Sequence, residues 1–116
     1  MSEENREQAV RRELERVTRE LGLSMEPQDW GIVNASAERL GEFCSYYRAH
    51  PEMRSELRFE FAELILASAN EVLLTGAALD LSAVMELARE DPDAFEDELR
   101  YWRGLRGEEF PIAKRL

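Results

Sequence analysis

The run from Phe61 to Leu74, FAELILASANEVLL, constrains this chain more than any other part of it. Wound as a helix, it is apolar on nearly every side, and such a helix must be surrounded by other elements. Ala62, Ala67, Ser68 and Ala69 are small enough to let neighbours come close. Glu63 and Glu71 interrupt the run, so it reads as the buried helix of a globule rather than a membrane span. The spacing predicts a helix over 52–75 with Met53, Leu57, Phe61, Leu64, Ser68 and Val72 on one face. Phe59, Leu66 and Leu73 are displaced around it, and Gly76 closes it. Residues 61–74 are then the expected centre of the fold.

Other segments can cover that centre. Residues 4–21 place Val10, Leu14, Val17 and Leu21 at 4-3-4 spacing, a narrow apolar stripe among glutamates and arginines. The stripe suits packing on its own domain or pairing with a second copy as a homodimer, although it barely reaches two heptads. Gly22 is the expected stop. A second helix is expected over 35–49, with Ala37, Leu40, Cys44 and Tyr47 inward, Phe43 beside them, and Gly41 allowing a close helix approach. His50-Pro51 ends it. A shorter helix follows over 80–90, capped by Asp80 or Ser82, with Leu81, Val84, Met85, Leu87 and Ala88 for packing. Asp91-Pro92-Asp93 then opens a helix over 92–103, with the aspartate as cap, proline in the first position and Phe95, Leu99 and Trp102 as its stripe. Phe110, Pro111 and Ile112 form a tail that can fold back onto the bundle.

Residues 22–34 read as an irregular connector, because Pro27 resists a helix and Gly31 permits a tight turn. Trp30, Ile32 and Val33 supply more apolar area there than a solvent loop needs. Trp30 reads either as a plug at the end of the bundle or as an exposed recognition anchor. Asn34 is the expected N-cap of the next helix. The expected architecture is all-α: one domain, 1–116, a compact bundle of about five helices.

The inventory for chemistry is poor. His50 is the only histidine and stands at a helix boundary; Cys44 is the only cysteine, on an apolar face. There is no glycine-rich phosphate loop, paired-cysteine motif or calcium loop, so no cofactor, metal or catalytic residue is assigned. Carboxylates are the one abundant reactive type. Glu56, Glu60 and Glu63 line one side of the long helix, with Arg58 near enough to neutralise them. Such a ridge is a solvated surface, a protein-binding ridge, or, with facing carboxylates, the metal site of a hydrolase.

Acids outnumber bases 25 to 15, for a net charge of −10. Residues 1–20 hold six acids and five bases, so the remaining chain holds 19 and 10 and carries nearly all the excess. This charge repels nucleic-acid backbones and anionic membranes and suits a basic protein partner. With no long apolar run and no secretory leader at Met1-Ser2-Glu3-Glu4, a cytoplasmic location is expected. The densest acidic run is Asp91, Asp93, Glu96, Asp97 and Glu98. Helix-terminus electrostatics explain its first members but not Asp97 and Glu98. Acids among tyrosines make a protein-binding surface, here Asp93, Asp97, Glu98 and Tyr101, with Tyr46 and Trp30 as further candidates. In size, helical character and charge the chain looks like immunity proteins that neutralise basic toxins. That resemblance implies a stoichiometric inhibitor; a structural helical protein whose charge serves solubility is the alternative.

Overall fold

A computed structural model describes residues 3–26, 28–107 and 109–116, with the side chains of Glu3 and Glu4 excepted. Six α-helices and no strand occur among the described residues: α1 Glu3–Leu21, α2 Trp30–Val33, α3 Leu40–Ala49, α4 Ser55–Leu74, α5 Ser82–Glu90 and α6 Pro92–Arg103. A 3-10 turn, Pro111–Arg115, ends the chain. Pro27, expected to keep the connector from forming a helix, lies outside the described residues.

The apolar circumference of α4 makes it the central element. It packs against α1, α2, α3, α6 and the C-terminal 3-10 turn, while α5 lies outside it on α3 and α6. Phe61, Ala62 and Leu64 to Asn70 are all buried. The last turn emerges: Glu71 and Leu74 are exposed, so the buried centre is 61–70, with Glu63 half-buried, rather than 61–74. Two polar side chains inside this stretch have specific uses. Ser68 Oγ accepts the Ser36 N–H at 3.0 Å, and Asn70 Oδ1 accepts the Ile112 N–H at 3.1 Å. Each ties a loop backbone to the central helix and gives that loop N–H a partner. The tail therefore folds back as expected, with Ile112 fully buried.

The stripe of α1 packs within the chain at its C-terminal half. Val17 and Leu21 are buried, whereas Val10 and Leu14 are half-buried. Gly22, at φ 65°, terminates the helix with paired bonds from Leu23 N to Thr18 O and from Gly22 N to Arg19 O. These are the two bonds of a Schellman cap, which needs the left-handed angle that glycine adopts freely.

The connector is more ordered than its composition suggests. Trp30 is 1% exposed, so it is the plug and not a surface anchor. Its Nε1–H donates to Thr18 Oγ1 at 3.0 Å, and its ring lies 5.7 Å from that of Phe61. Asn34 does not cap α3. Its side chain faces back, accepting from Ser24 N at 2.8 Å and donating to Ser24 O and Trp30 O at 2.9 Å. Residues 35–39 form turns, and α3 starts at Leu40 instead of 35. Satisfying three backbone groups of the connector outweighed the local capping preference of asparagine. Gly31, not Gly41, is the glycine of close approach. A Cβ on Gly31 would lie 2.7 Å from the backbone N of Leu64, whereas one on Gly41 would meet open space.

Two substitutions test this arrangement by chemical denaturation. Leu66→Ala removes a fully buried side chain and is expected to cost about 2–5 kcal/mol. Gly31→Ala drives a methyl group into the α4 backbone and is expected to cost about 1–3 kcal/mol. A loss below about 1 kcal/mol in both would mean that α4 is not the packed centre.

Candidate functional site

The acids of this chain divide into those with cationic partners and those without. On α4, the expected ridge of Glu56, Glu60 and Glu63 is split. Glu56 pairs with Arg6 at 2.8 Å, and that hydrogen bond above all holds its carboxyl down to about 2. Arg58 turns away from the ridge. It bonds Asp91 at 2.7 Å and Met53 O at 2.9 Å, and also reaches Pro51 O. Tyr47 donates its hydroxyl to the same Asp91 carboxylate. Burial alone would raise the Asp91 pKa, but these two donors bring it below the ordinary aspartate value. Asp91 thus stands at the N-terminus of α6 as expected, while its side chain joins α3, α4 and α6 instead of capping.

On α6, Asp93 and Asp97 are exposed, Glu98 is half-buried and Tyr101 is 57% exposed. Arg100 lies 3.3 Å from both Glu96 and Asp97. Part of the repulsion in this run is therefore relieved within the helix, by contacts so exposed that each is worth about 1 kcal/mol at most. Tyr46, the other tyrosine candidate, is engaged internally. Its hydroxyl donates to Glu20 at 2.6 Å, and its ring stacks between His50 and Phe61. Burial and the Glu20 contact raise its pKa.

The fold assembles a different acidic group. The charge of Asp29, before α2, bears on Glu60 and Glu63 of α4, and the charges of those two bear on Glu98 of α6. None of these four belongs to an ion pair among the described residues. Asp29 turns the chain into α2 at φ 56°, a left-handed angle that aspartate tolerates better than most residues. The carboxylate of Glu63 lies against Gly31, and the backbone N–H groups of Gly31 and Ile32 at the start of α2 favour its charged form. Even so, burial and then Asp29 raise the Glu63 pKa. Burial and then Glu63 also raise that of Glu60. Glu98 is the most perturbed. Burial first, then the charge of Glu63, push its carboxyl up to about 7, with Trp102 opposing the rise. Glu98 Oε2 and Trp102 Nε1 are both buried without completing a hydrogen bond.

Among the described residues, no three histidine, cysteine or acidic side chains are placed to hold a metal ion. The carboxylates sense one another's charge without converging on one point. Cys44 is buried and its thiol is pushed up by that burial, which disfavours the thiolate a nucleophile requires. No helix among the described residues is long and apolar enough to cross a membrane.

Sequence reasoning found Glu98 and Tyr101 and separately noted Glu60 and Glu63. It missed Asp29 and Ile32 as members of this face. No local signal joins residues 29, 60 and 98, because only the packing of α2 and α6 on α4 brings them together. The chain matches no family model, no curated protein and no solved structure.

The raised carboxyls set a direction for stability against pH. Glu98, Glu60 and Glu63 bind protons more tightly folded than unfolded, so their contribution is full below the ordinary glutamate range and lost as pH rises through the folded value. Stability should fall between about pH 5 and pH 8, with Glu98 losing its share near pH 7. Below about pH 4 the lowered Asp91 acts in the opposite sense. Glu98→Gln should flatten the decline. Denaturation midpoints that do not change across this range in the wild type would contradict the assignment.

Proposed function

We propose that this protein binds a basic protein partner through the face formed by Asp29, Glu60, Glu63 and Glu98 with Asp93, Asp97 and Tyr101 at its edge. The observation that carries the reading is the group of four carboxylates without ion-pair partners in a chain of net charge −10. Leaving the half-buried Glu60, Glu63 and Glu98 unpaired raises their cost in the free protein, and a cation arriving from a partner relieves it. The long-range field speeds encounter, and exposed Tyr101 supplies contact area at low entropic cost. In its inhibitory form this is one-to-one masking of a basic protein, as immunity proteins mask toxins. That form rests on size and charge. The chemistry required of the chain is binding, with location in the cytoplasm as the expected setting.

Affinity capture from native lysate, followed by titration of the purified partner at rising salt, tests the proposal. The expected complex loses about tenfold or more in affinity between about 0.05 and 0.3 M salt. Neutralising Asp97 and Glu98 together as Asn and Gln should weaken it further and reduce the salt dependence. A folded double variant that keeps the affinity and salt dependence of the wild type would leave the charge with a solubility role only.

A homodimer through α1 is a second reading, favoured by half-exposed Val10 and Leu14 beside Met25 along a groove of about 410 Å³. Sedimentation should then show a dimer that Val10→Glu dissociates. A monomer at all accessible concentrations would dismiss it.

A further inference from the structure

On the side of α6 that carries Glu98 lies a largely apolar notch of about 280 Å³, bounded by Ile32, Ala35, Tyr101, Trp102, Leu105 and Phe110, with Asn70 and the acidic Glu71 also in its lining. It is smaller than the roughly 300–1,000 Å³ of a small-molecule site, which fits one side chain better than a whole ligand. Two walls of the notch are also in contact with the acids. Ile32 follows Gly31, against which the Glu63 carboxylate lies, and Trp102 stands one helical turn after Glu98. Trp102 is 4% exposed and its indole N–H has no hydrogen-bond partner, beside a Glu98 oxygen in the same condition. At the rim, Ile32 is 46% and Tyr101 57% exposed.

Resting on the basic-partner reading, the geometry points to this notch as its specificity element: it receives a large apolar side chain from a partner segment whose adjoining lysine or arginine reaches Glu63 and Glu98. Charge complementarity selects that occupant. An apolar group alone leaves the carboxylates unmatched, and a small free cation leaves Ile32 and Tyr101 exposed. A second copy brings another net charge of −10 to the same face. The pairing of an apolar anchor with a flanking cation is what separates one basic partner from the many that a diffuse acidic surface would attract. A cation beside Glu98 favours its charged form, so docking near neutral pH expels a proton from a carboxyl otherwise held at about 7.

The probes are a synthetic peptide of about a dozen residues alternating leucine and lysine, its serine-for-leucine counterpart, and lysine amide. Binding is followed by calorimetry in two buffers of different ionisation heat, with circular dichroism to check folding. The leucine peptide is expected to bind at least about tenfold more tightly than the serine peptide and to release protons near pH 7. Ile32→Ser combined with Tyr101→Ala should reduce its affinity to that of the serine peptide. Glu98→Gln should abolish the proton release. Equal affinity of the two peptides, or a leucine peptide indifferent to the Ile32/Tyr101 double variant, overturns the notch while the charged-face reading stands. Lysine amide binding as tightly as the leucine peptide overturns it in favour of a small-cation site. Self-association that the double variant abolishes overturns it in favour of a second copy. Absence of any salt-sensitive binding by either peptide overturns the notch and the basic-partner reading together.

Discussion

Burial of α4 on all sides between Phe61 and Asn70 is the constraint from which the other features follow. Phe61, Leu64, Ile65 and Leu66 are wholly inaccessible, and full burial of side chains of this kind contributes about 1.5–3 kcal/mol each. A helix so enclosed needs a neighbour in every direction, and a chain of this length has few elements to offer. The connector is therefore recruited to the wall. Trp30 packs beside Phe61, and Gly31 lets α2 press against the backbone of Leu64. Ser68 and Asn70 hold the loop before α3 and the tail from inside.

The same packing determines which charges stay free. Arginines find acids on other elements as the helices settle: Arg6 with Glu56, Arg54 with Glu13, Arg48 with Glu86 and Arg58 with Asp91. The side of α4 that meets α2 and α6 receives no arginine. Instead it gathers Glu60, Glu63, Glu98 and Asp29, and partial burial raises the pKa values of the three glutamates. The acidic face thus follows from where the fold places the arginines, beyond the net charge alone.

Much of the helical framework was legible because periodicity and punctuation are local. The limits Pro92–Arg103 of α6 follow from Asp91-Pro92 at one end and Gly104 at the other. The stops at Gly22 and Gly76 follow from their place after apolar runs. The misreadings occur where a side chain had a distant alternative. Asn34 serves Ser24 rather than α3. Arg58 serves Asp91 rather than the α4 ridge. Gly41 faces open space, while Gly31 takes the close contact. Of the candidate surface residues, Asp93, Asp97 and Tyr101 are exposed and Glu98 is half-buried. Trp30 is in the core and Tyr46 is occupied by Glu20, His50 and Phe61.

By itself, the sequence determined that the chain is helical, that the segment beginning at Phe61 is central, and that excess negative charge lies outside residues 1–20. These depend on residue spacing and on counts, which need no knowledge of what meets what. Only the tertiary structure decided that Trp30 is inside, that Glu56 is paired while Glu60 and Glu63 are not, and that Asp29 and Glu98 join them beside an apolar notch. Charge pairing and burial depend on distances between residues far apart in the chain, and those distances exist only after α2 and α6 have closed on α4.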